Sequence, residues 1–192
     1  MPQLAEVTIG VMGSGKDEHC DLAEPLGNLL AELGVNLLTG AGGGVMTSVS
    51  RAFVQSPQRR VGICIGIVPC RSEGDRASPR DGYPNEFVEL PIMTHLPLSG
   101  PRGCEDLSRN HINILSSAGI IALPGGEGTR AEIELAQRYG KPIVAFTSNV
   151  AVVANLGSIT QATTIQQVRD FLTQAVPSIA SRAGDRRSST SL

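Results

Sequence analysis

The chain is poor in aromatic residues: its 192 residues include no tryptophan, two tyrosines and four phenylalanines. Its 16 Lys and Arg residues are matched by 18 Asp and Glu, so no basic excess drives sequence-independent binding to nucleic acid. No apolar run approaches the roughly 20 residues that span a bilayer, and the N-terminus lacks a signal-peptide pattern. We therefore expect a cytoplasmic protein that binds neither nucleic acid nor membrane.

Cysteine, histidine and lysine are also scarce. The four cysteines form no Cys-x-x-Cys pair and the chain has only three histidines, so we expect no structural zinc site. A PLP-dependent decarboxylase needs a lysine for its Schiff base, and only Lys16 and Lys141 are present. Lys141 directly precedes a predicted strand, which places it at the wrong end of the sheet for a ligand site. Decarboxylation is therefore not expected.

Short apolar segments alternate along the chain with segments of helical periodicity. Apolar runs predict strands at 7–12, 35–39, 60–68, 89–93, 119–123 and 142–146, with a weaker one further on. Spacing of apolar residues predicts helices at 21–33, 45–53, 107–117, 130–139 and 164–176. This alternation predicts an α/β, Rossmann-like fold, a doubly wound parallel sheet with helices on both faces. We assign residues 1–177 to a single domain and 178–192 to a flexible tail.

Residues 70–87 interrupt this alternation. They carry seven charges among prolines and glycines and show no regular hydrophobic period. Such a segment predicts a loop insertion longer than compact domains usually contain, which favours a functional role as a lid or a surface for a partner protein.

Glycine is abundant, with 22 residues, and nine of them cluster in three turns that each follow a predicted strand, at 13–15, 40–44 and 124–129. In an open parallel sheet these turns lie at the carboxyl ends of the strands, where ligands bind. Glycine lets backbone N–H groups approach an anion, and a helix that begins there adds its positive end. The three turns together predict a phosphate or nucleotide site.

Two familiar nucleotide-binding motifs do not fit these turns. Gly10-x-x-x-x-Gly15-Lys16 resembles the start of a P-loop, but Asp17 replaces the Ser or Thr that would hold Mg²⁺. The 40–44 turn lacks the final glycine of the dinucleotide fingerprint, and the strand before it lacks a terminal acid for an NAD ribose. Neither an ATPase nor a dehydrogenase is favoured.

The segment Pro-Gly-Gly-Glu-Gly-Thr-Arg-Ala-Glu at 124–132 resembles the PGGxGTxxE signature of the LONELY GUY (LOG) phosphoribohydrolases, a superfamily long labelled lysine decarboxylases. Arg109 stands 15 positions before Pro124, as the active-site arginine of that family does. The 40–46 segment resembles a shortened form of the family's GGGxxGLM phosphate loop.

Within this superfamily the chain is most similar to the molybdenum cofactor carrier-like branch. The shared segments are GVMGxGK, here 10–16, and RxxINxLSS, here 109–117. LOG enzymes carry Arg-Lys where this chain has Arg109-Asn110, so the resemblance to the carriers is closer than that to the hydrolases.

The resemblance implies a site at the carboxyl rim of the sheet that needs no cofactor for folding and takes molybdenum cofactor or a nucleoside 5′-monophosphate as ligand. It makes Arg109 and Glu132 the candidate catalytic pair at an N-glycosidic bond. It also implies a homodimer or homotetramer. The residues expected around the phosphate-bearing ligand are Gly13, Ser14, Gly15, Lys16, Gly42, Gly43, Gly44, Gly125, Gly126, Gly128 and Thr129.

Several alternatives remain open at this stage. The chain could bind its ligand as a carrier, hydrolyse a nucleoside monophosphate to free base and ribose 5-phosphate, or sense a ligand together with a partner protein. Taken alone, Glu132 could simply complement a helix dipole, and Arg109 could be a surface residue. His95 is a weak candidate for ligand contact, whereas His111 is expected to be a packing or surface histidine.

Overall fold

The computed structural model describes residues 5–58, 60–148 and 159–179, and a parallel sheet of seven strands runs through them. The strands are β1 (Thr8–Met12), β2 (Asn36–Thr39), β3 (Cys64–Val68), β4 (Leu90–Met93), β5 (Gly119–Ala122), β6 (Ile143–Phe146) and β7 (Thr160–Ala162). The helices are α1 (Cys20–Leu33), α2 (Val45–Val54), α3 (Asn110–Leu115), α4 (Glu127–Arg138) and α5 (Ile165–Ala175). The predicted α/β, Rossmann-like fold is therefore confirmed.

Both faces of the sheet are covered, as the apolar strands require. Side chains alternate between the two faces, so that Ile121 of β5 packs with α1, α2 and α5 whereas Ile120 packs with α3 and α4. Each face thus has its own apolar core, and the sheet is doubly wound.

The strand order is β4-β3-β2-β1-β5-β6-β7. The chain moves outward from β1 to β4, then returns to lay β5 against the other side of β1, with Met12 paired to Ala122. The Ser14 N–H donates to the Pro124 carbonyl at 3.0 Å just beyond these strands. The first and third glycine turns therefore meet at the point where the direction of winding reverses, which is the usual ligand position in such sheets.

Three elements differ in extent from the sequence prediction. Strand β3 begins at Cys64 rather than at residue 60, because the Ile63 N–H donates to the Asn36 side chain at 3.1 Å. Helix α3 is shorter than 107–117, since Ser108 and Ser117 direct their side chains to nearby backbone groups. Helix α4 begins at Glu127 rather than 130, which puts the glycine turn itself at the helix N-terminus.

The 70–87 segment contains no helix or strand, as predicted. Lys141 precedes β6 and donates to the Leu115 and Ser117 carbonyls, at the sheet end away from the glycine turns, as expected. Most of the predicted tail, 180–192, lies outside the described residues, and the domain boundary at 177 stays a prediction. Among the described residues no helix is long and apolar enough to cross a membrane.

Helices α1 and α2 pack at close range through Gly27. A Cβ at this position would come within 2.6 Å of the Val49 carbonyl oxygen and 2.8 Å of the Phe53 amide nitrogen. Because both atoms belong to backbone, they cannot move aside without shifting the helix.

We therefore predict that Gly27→Ala lowers the free energy of unfolding by about 1–3 kcal/mol, the usual cost of overpacking. Helix propensity alone would predict a gain of about 1 kcal/mol. The exposed neighbour Asn28→Ala serves as the control and should change stability by no more than about 0.5 kcal/mol in urea unfolding. Equal stability of Gly27→Ala and wild type would contradict the close packing.

Candidate functional site

A cleft of about 540 Å³ opens at the carboxyl end of the sheet, over the junction of β1 and β5. Of the residues predicted from the sequence, those lining it are Gly13, Ser14, Gly15, Lys16, Arg109, Gly126, Gly128, Thr129 and Glu132. The fold thus brings together the first glycine turn, the third glycine turn and the two charged residues.

The second glycine turn and Gly125 are not among the residues that line the cleft. Gly44 has φ of +60°, and a Cβ there would come within 2.7 Å of the Lys16 amide nitrogen, so this turn packs against the first one. Gly43 lies against the Gly15 carbonyl, and a Cβ at Gly42 would approach the Tyr83 hydroxyl to 2.7 Å. Gly125 packs against Thr129 and the Ser14 amide. Direct contact of these four glycines with a ligand stays a prediction.

The first glycine turn satisfies most of its polar groups internally. The Ser14 hydroxyl accepts the amides of Lys16 and Asp17 and donates to the Asp17 carboxylate at 3.1 Å. The Ser14 carbonyl accepts the first amide of α2, from Val45, at 2.9 Å. The Lys16 side chain is exposed and lines the cleft, so its ammonium group is available to a ligand.

The third glycine turn, in contrast, leaves a helix N-terminus open. The N-cap of α4 is Gly126, which has no side chain to accept the first amides. The first hydrogen bond of this helix is from the Arg130 amide to the Gly126 carbonyl at 3.0 Å, so the amides of Gly128 and Thr129 precede it. The Thr129 hydroxyl is buried without a partner. This end of α4 lines the cleft and offers several N–H donors and a helix dipole to an anion.

Arg109 lies directly before α3 and is only 5% exposed. Its Nε and Nη1 atoms are buried and have no hydrogen-bond partner. A Cβ at Gly40 would come within 2.7 Å of Nη2, so the guanidinium occupies the space that glycine leaves. Burial lowers the pKa of Arg109, while the charge of Glu132 and the contact with Tyr83 oppose that shift. A buried cation with unsatisfied donors is a strong indication of an anionic ligand.

Glu132 extends from α4 into the same cleft and is 8% exposed. The Asn113 side-chain amide of α3 donates to its Oε1 at 3.0 Å. Burial raises the pKa of Glu132, against the opposing effects of Arg109 and Asn113. The cleft therefore contains a desolvated carboxylate as well as the Arg109 guanidinium, and such a carboxylate can stabilise positive charge.

Some lining residues were not found by sequence reasoning. The most informative is Tyr83, which lies in the 70–87 loop and whose ring centre is 5.8 Å from Cζ of Arg109. A tyrosine in an otherwise charged loop, one of only two in the chain, was the available signal. Ser99, Gly100 and Asp17 also line the cleft and belong to no motif that predicts it.

The two histidines considered from the sequence do not line the cleft in the described part of the chain. His111 contacts the Tyr139 hydroxyl at 2.7 Å and the Glu105 carbonyl at 3.0 Å. Asn110 is buried and lines the cleft where LOG enzymes carry lysine.

Three comparisons with known proteins agree with this architecture. The molybdenum cofactor binding protein of Rippkaea orientalis is 28% identical, with a TM-score of 0.68 over 91% of this chain and 99% of that one. The molybdenum cofactor carrier protein of Chlamydomonas reinhardtii is 26% identical, with a TM-score of 0.67 over 89% of this chain and 98% of that one. An uncharacterised protein of Archaeoglobus fulgidus is 29% identical over 146 residues, which is 75% of this chain and 82% of its own length.

The predicted resemblance to the LOG superfamily and to its carrier branch is confirmed by these structural neighbours and by a family model that matches residues 6–173. This chain belongs to the SLOG cluster4 family.

Proposed function

We propose that this protein binds molybdenum cofactor, or a closely similar phosphate-bearing pterin or nucleotide, as a carrier. The observation that carries the proposal is the buried guanidinium of Arg109, whose Nε and Nη1 lack partners beside the open N-terminus of α4. Its support from known proteins is the similarity to the carrier proteins of R. orientalis and C. reinhardtii.

The donor set suits the terminal phosphate of such a ligand. The Arg109 donors, the Thr129 hydroxyl and the first amides of α4 are groups that bind a phosphate, and none of them requires a metal. When bound, molybdenum cofactor would supply its own redox chemistry. The protein's part is to hold the phosphate, cover one side of the ligand and limit the access of water and oxygen.

Glu132 favours a second candidate function, hydrolysis of a nucleoside 5′-monophosphate. A buried carboxylate beside the ligand could stabilise the positive charge that develops on a ribose as the N-glycosidic bond breaks. The same carboxylate could equally accept N–H donors of a pterin without any reaction, and the Asn110 position separates the chain from the LOG enzymes.

We also propose that the chain forms a homodimer or homotetramer in the cytoplasm. Exposed apolar side chains next to the helices that flank the cleft, Leu107, Leu115 and Tyr139, support self-association there.

Replacement of Arg109 tests the carrier proposal directly. We predict that Arg109→Gln weakens binding of inorganic phosphate and of molybdenum cofactor by roughly 10- to 150-fold, because a charge-assisted hydrogen bond contributes about 1.5–3 kcal/mol. Isothermal titration and the rate of cofactor oxidation measure the effect. Arg138→Gln, which removes an exposed arginine of the same helix as Glu132, should leave both unchanged. If folded Arg109→Gln binds phosphate as tightly as wild type, the proposed site is contradicted.

The N-cap of α4 offers a test in which stability and binding move in opposite directions. A Cβ at Gly126 meets no atom within 4 Å, so a side chain fits there. We predict that Gly126→Asp raises the free energy of unfolding by about 0.5–1 kcal/mol, because its carboxylate accepts the free amides and complements the helix dipole. The same carboxylate should weaken phosphate binding more than tenfold. Gly126→Ala is the control, and it should bind phosphate nearly as wild type does.

The two functions differ in what happens to a nucleoside monophosphate. As a carrier, the protein should release no free base from AMP or isopentenyl-adenine riboside monophosphate, measured by chromatography. Base release that disappears in Glu132→Gln would instead establish the hydrolase. In that case kcat/KM should fall on acidification at a pH above the ordinary Glu value of 4.5, since burial raises the pKa of the required carboxylate.

A further inference from the structure

Arg109 is a buried cation whose immediate surroundings do not neutralise it. The described residues place no carboxylate within ion-pair distance of its guanidinium, and two of its three nitrogens have no hydrogen-bond partner. Glu132 faces the same cleft and acts on it only at longer range. Another group must therefore hold the guanidinium in place before a ligand arrives.

The aromatic ring of Tyr83 is that group. Cζ of Arg109 lies over the ring, 5.8 Å from its centre, where the negative face of the π system attracts a cation. Gly40 provides the space for the guanidinium, since a Cβ there would come within 2.9 Å of Cζ. Tyr83 is half-buried and lines the cleft, so the contact lies at the site and not in the core.

The 70–87 loop is fastened to the cleft on both sides of Tyr83. On the C-terminal side of Tyr83, the backbone amide of Asn85 donates to the Ala41 carbonyl at 2.8 Å, and the Asn85 side chain donates to the Gly42 carbonyl at 2.9 Å. On the N-terminal side of Tyr83, Arg80 donates to the Ser99 hydroxyl at 2.7 Å and to the Pro97 carbonyl. These bonds connect the loop to the second glycine turn and to the wall that contains Ser99, and they fix where the ring stands.

We infer that Tyr83 is a positioning residue for Arg109: its ring holds the guanidinium with unpaired donors available, so the 70–87 loop sets the affinity of the cleft for the anionic group of its ligand. This inference rests on the proposed function, because it assumes that Arg109 binds that group. It also gives the second glycine turn a role, which is to anchor the loop through Ala41 and Gly42 rather than to bind phosphate itself.

The test compares Tyr83→Phe with Tyr83→Leu, using inorganic phosphate as the probe in ³¹P NMR and isothermal titration. Phe retains the π face, so Tyr83→Phe should bind within about threefold of wild type, whereas Tyr83→Leu should bind about tenfold more weakly. Tyr139→Leu, at the chain's other tyrosine, is the matched control and should bind as wild type. The ¹⁵N–¹H resonance of Arg109 Nε should keep its ring-current shift in Tyr83→Phe and lose it in Tyr83→Leu.

Three results would overturn the inference. The first is unchanged phosphate binding by Tyr83→Leu, and the second is an equal loss of phosphate binding in Tyr83→Phe and Tyr83→Leu. The third is that Tyr83→Leu binds AMP more weakly but phosphate normally, which would mean that Tyr83 contacts the base of the ligand. Asn85→Ala keeps the ring but removes the side-chain bond to the Gly42 carbonyl that holds the loop beside it, and a measurable loss of phosphate binding is expected. If Tyr83→Leu does not fold, unchanged binding by Asn85→Ala overturns the inference. Arg109→Gln distinguishes failure of the inference from failure of the proposed function. If Arg109→Gln binds phosphate normally, the proposed function fails as well. If Arg109→Gln loses phosphate binding while Tyr83→Leu keeps it, only the inference about Tyr83 fails.

Discussion

The site depends on one unfavourable feature, a guanidinium that is almost completely buried without a carboxylate partner. Burying a cation costs several kcal/mol unless other groups compensate, and the compensation at Arg109 is only partial: a π face from Tyr83, the more distant charge of Glu132, and unsatisfied donors at Nε and Nη1. An anion in the cleft would complete it. The native structure thus retains part of the desolvation cost of Arg109, which is the physical reason for proposing it as a binding group.

The arrangement of the sheet explains how the fold tolerates the desolvation of Arg109. Because β5 returns to the side of β1, the turns after these strands are tied together by the bond from Ser14 to Pro124, and both apolar cores support them. The three glycine turns differ in how their polar groups are paired. The turn after β5 leaves the first amides of α4 without a side-chain cap, whereas the polar groups of the turn after β1 are bonded through Ser14. The turn after β2 packs against the turn after β1 and accepts a hydrogen bond from the 70–87 loop.

The polar groups of the cleft differ in how fully they are paired. The free donors of the cleft are directed at an anion, whereas its one buried carboxylate, Glu132, already accepts the Asn113 amide. Under the two proposed functions, a carrier and a hydrolase would differ in the groups around Arg109 and Glu132 rather than in that pair itself. Asn110 and Tyr83 are two such groups, since both line the cleft.

The sequence by itself determined the fold class and predicted that three glycine turns follow strands, because apolar periodicity and turn residues are local signals, whereas Arg109 and Glu132 were chosen through the resemblance to a known superfamily. It could not show that Gly42, Gly43 and Gly44 do not line the cleft, or that α4 begins at Glu127 so that its first amides have no side-chain cap. Nor could it find Tyr83, since no motif links a loop tyrosine to an arginine 26 positions later. Only the tertiary structure decided these points, because burial and the pairing of polar groups depend on which distant segments the sheet brings into contact.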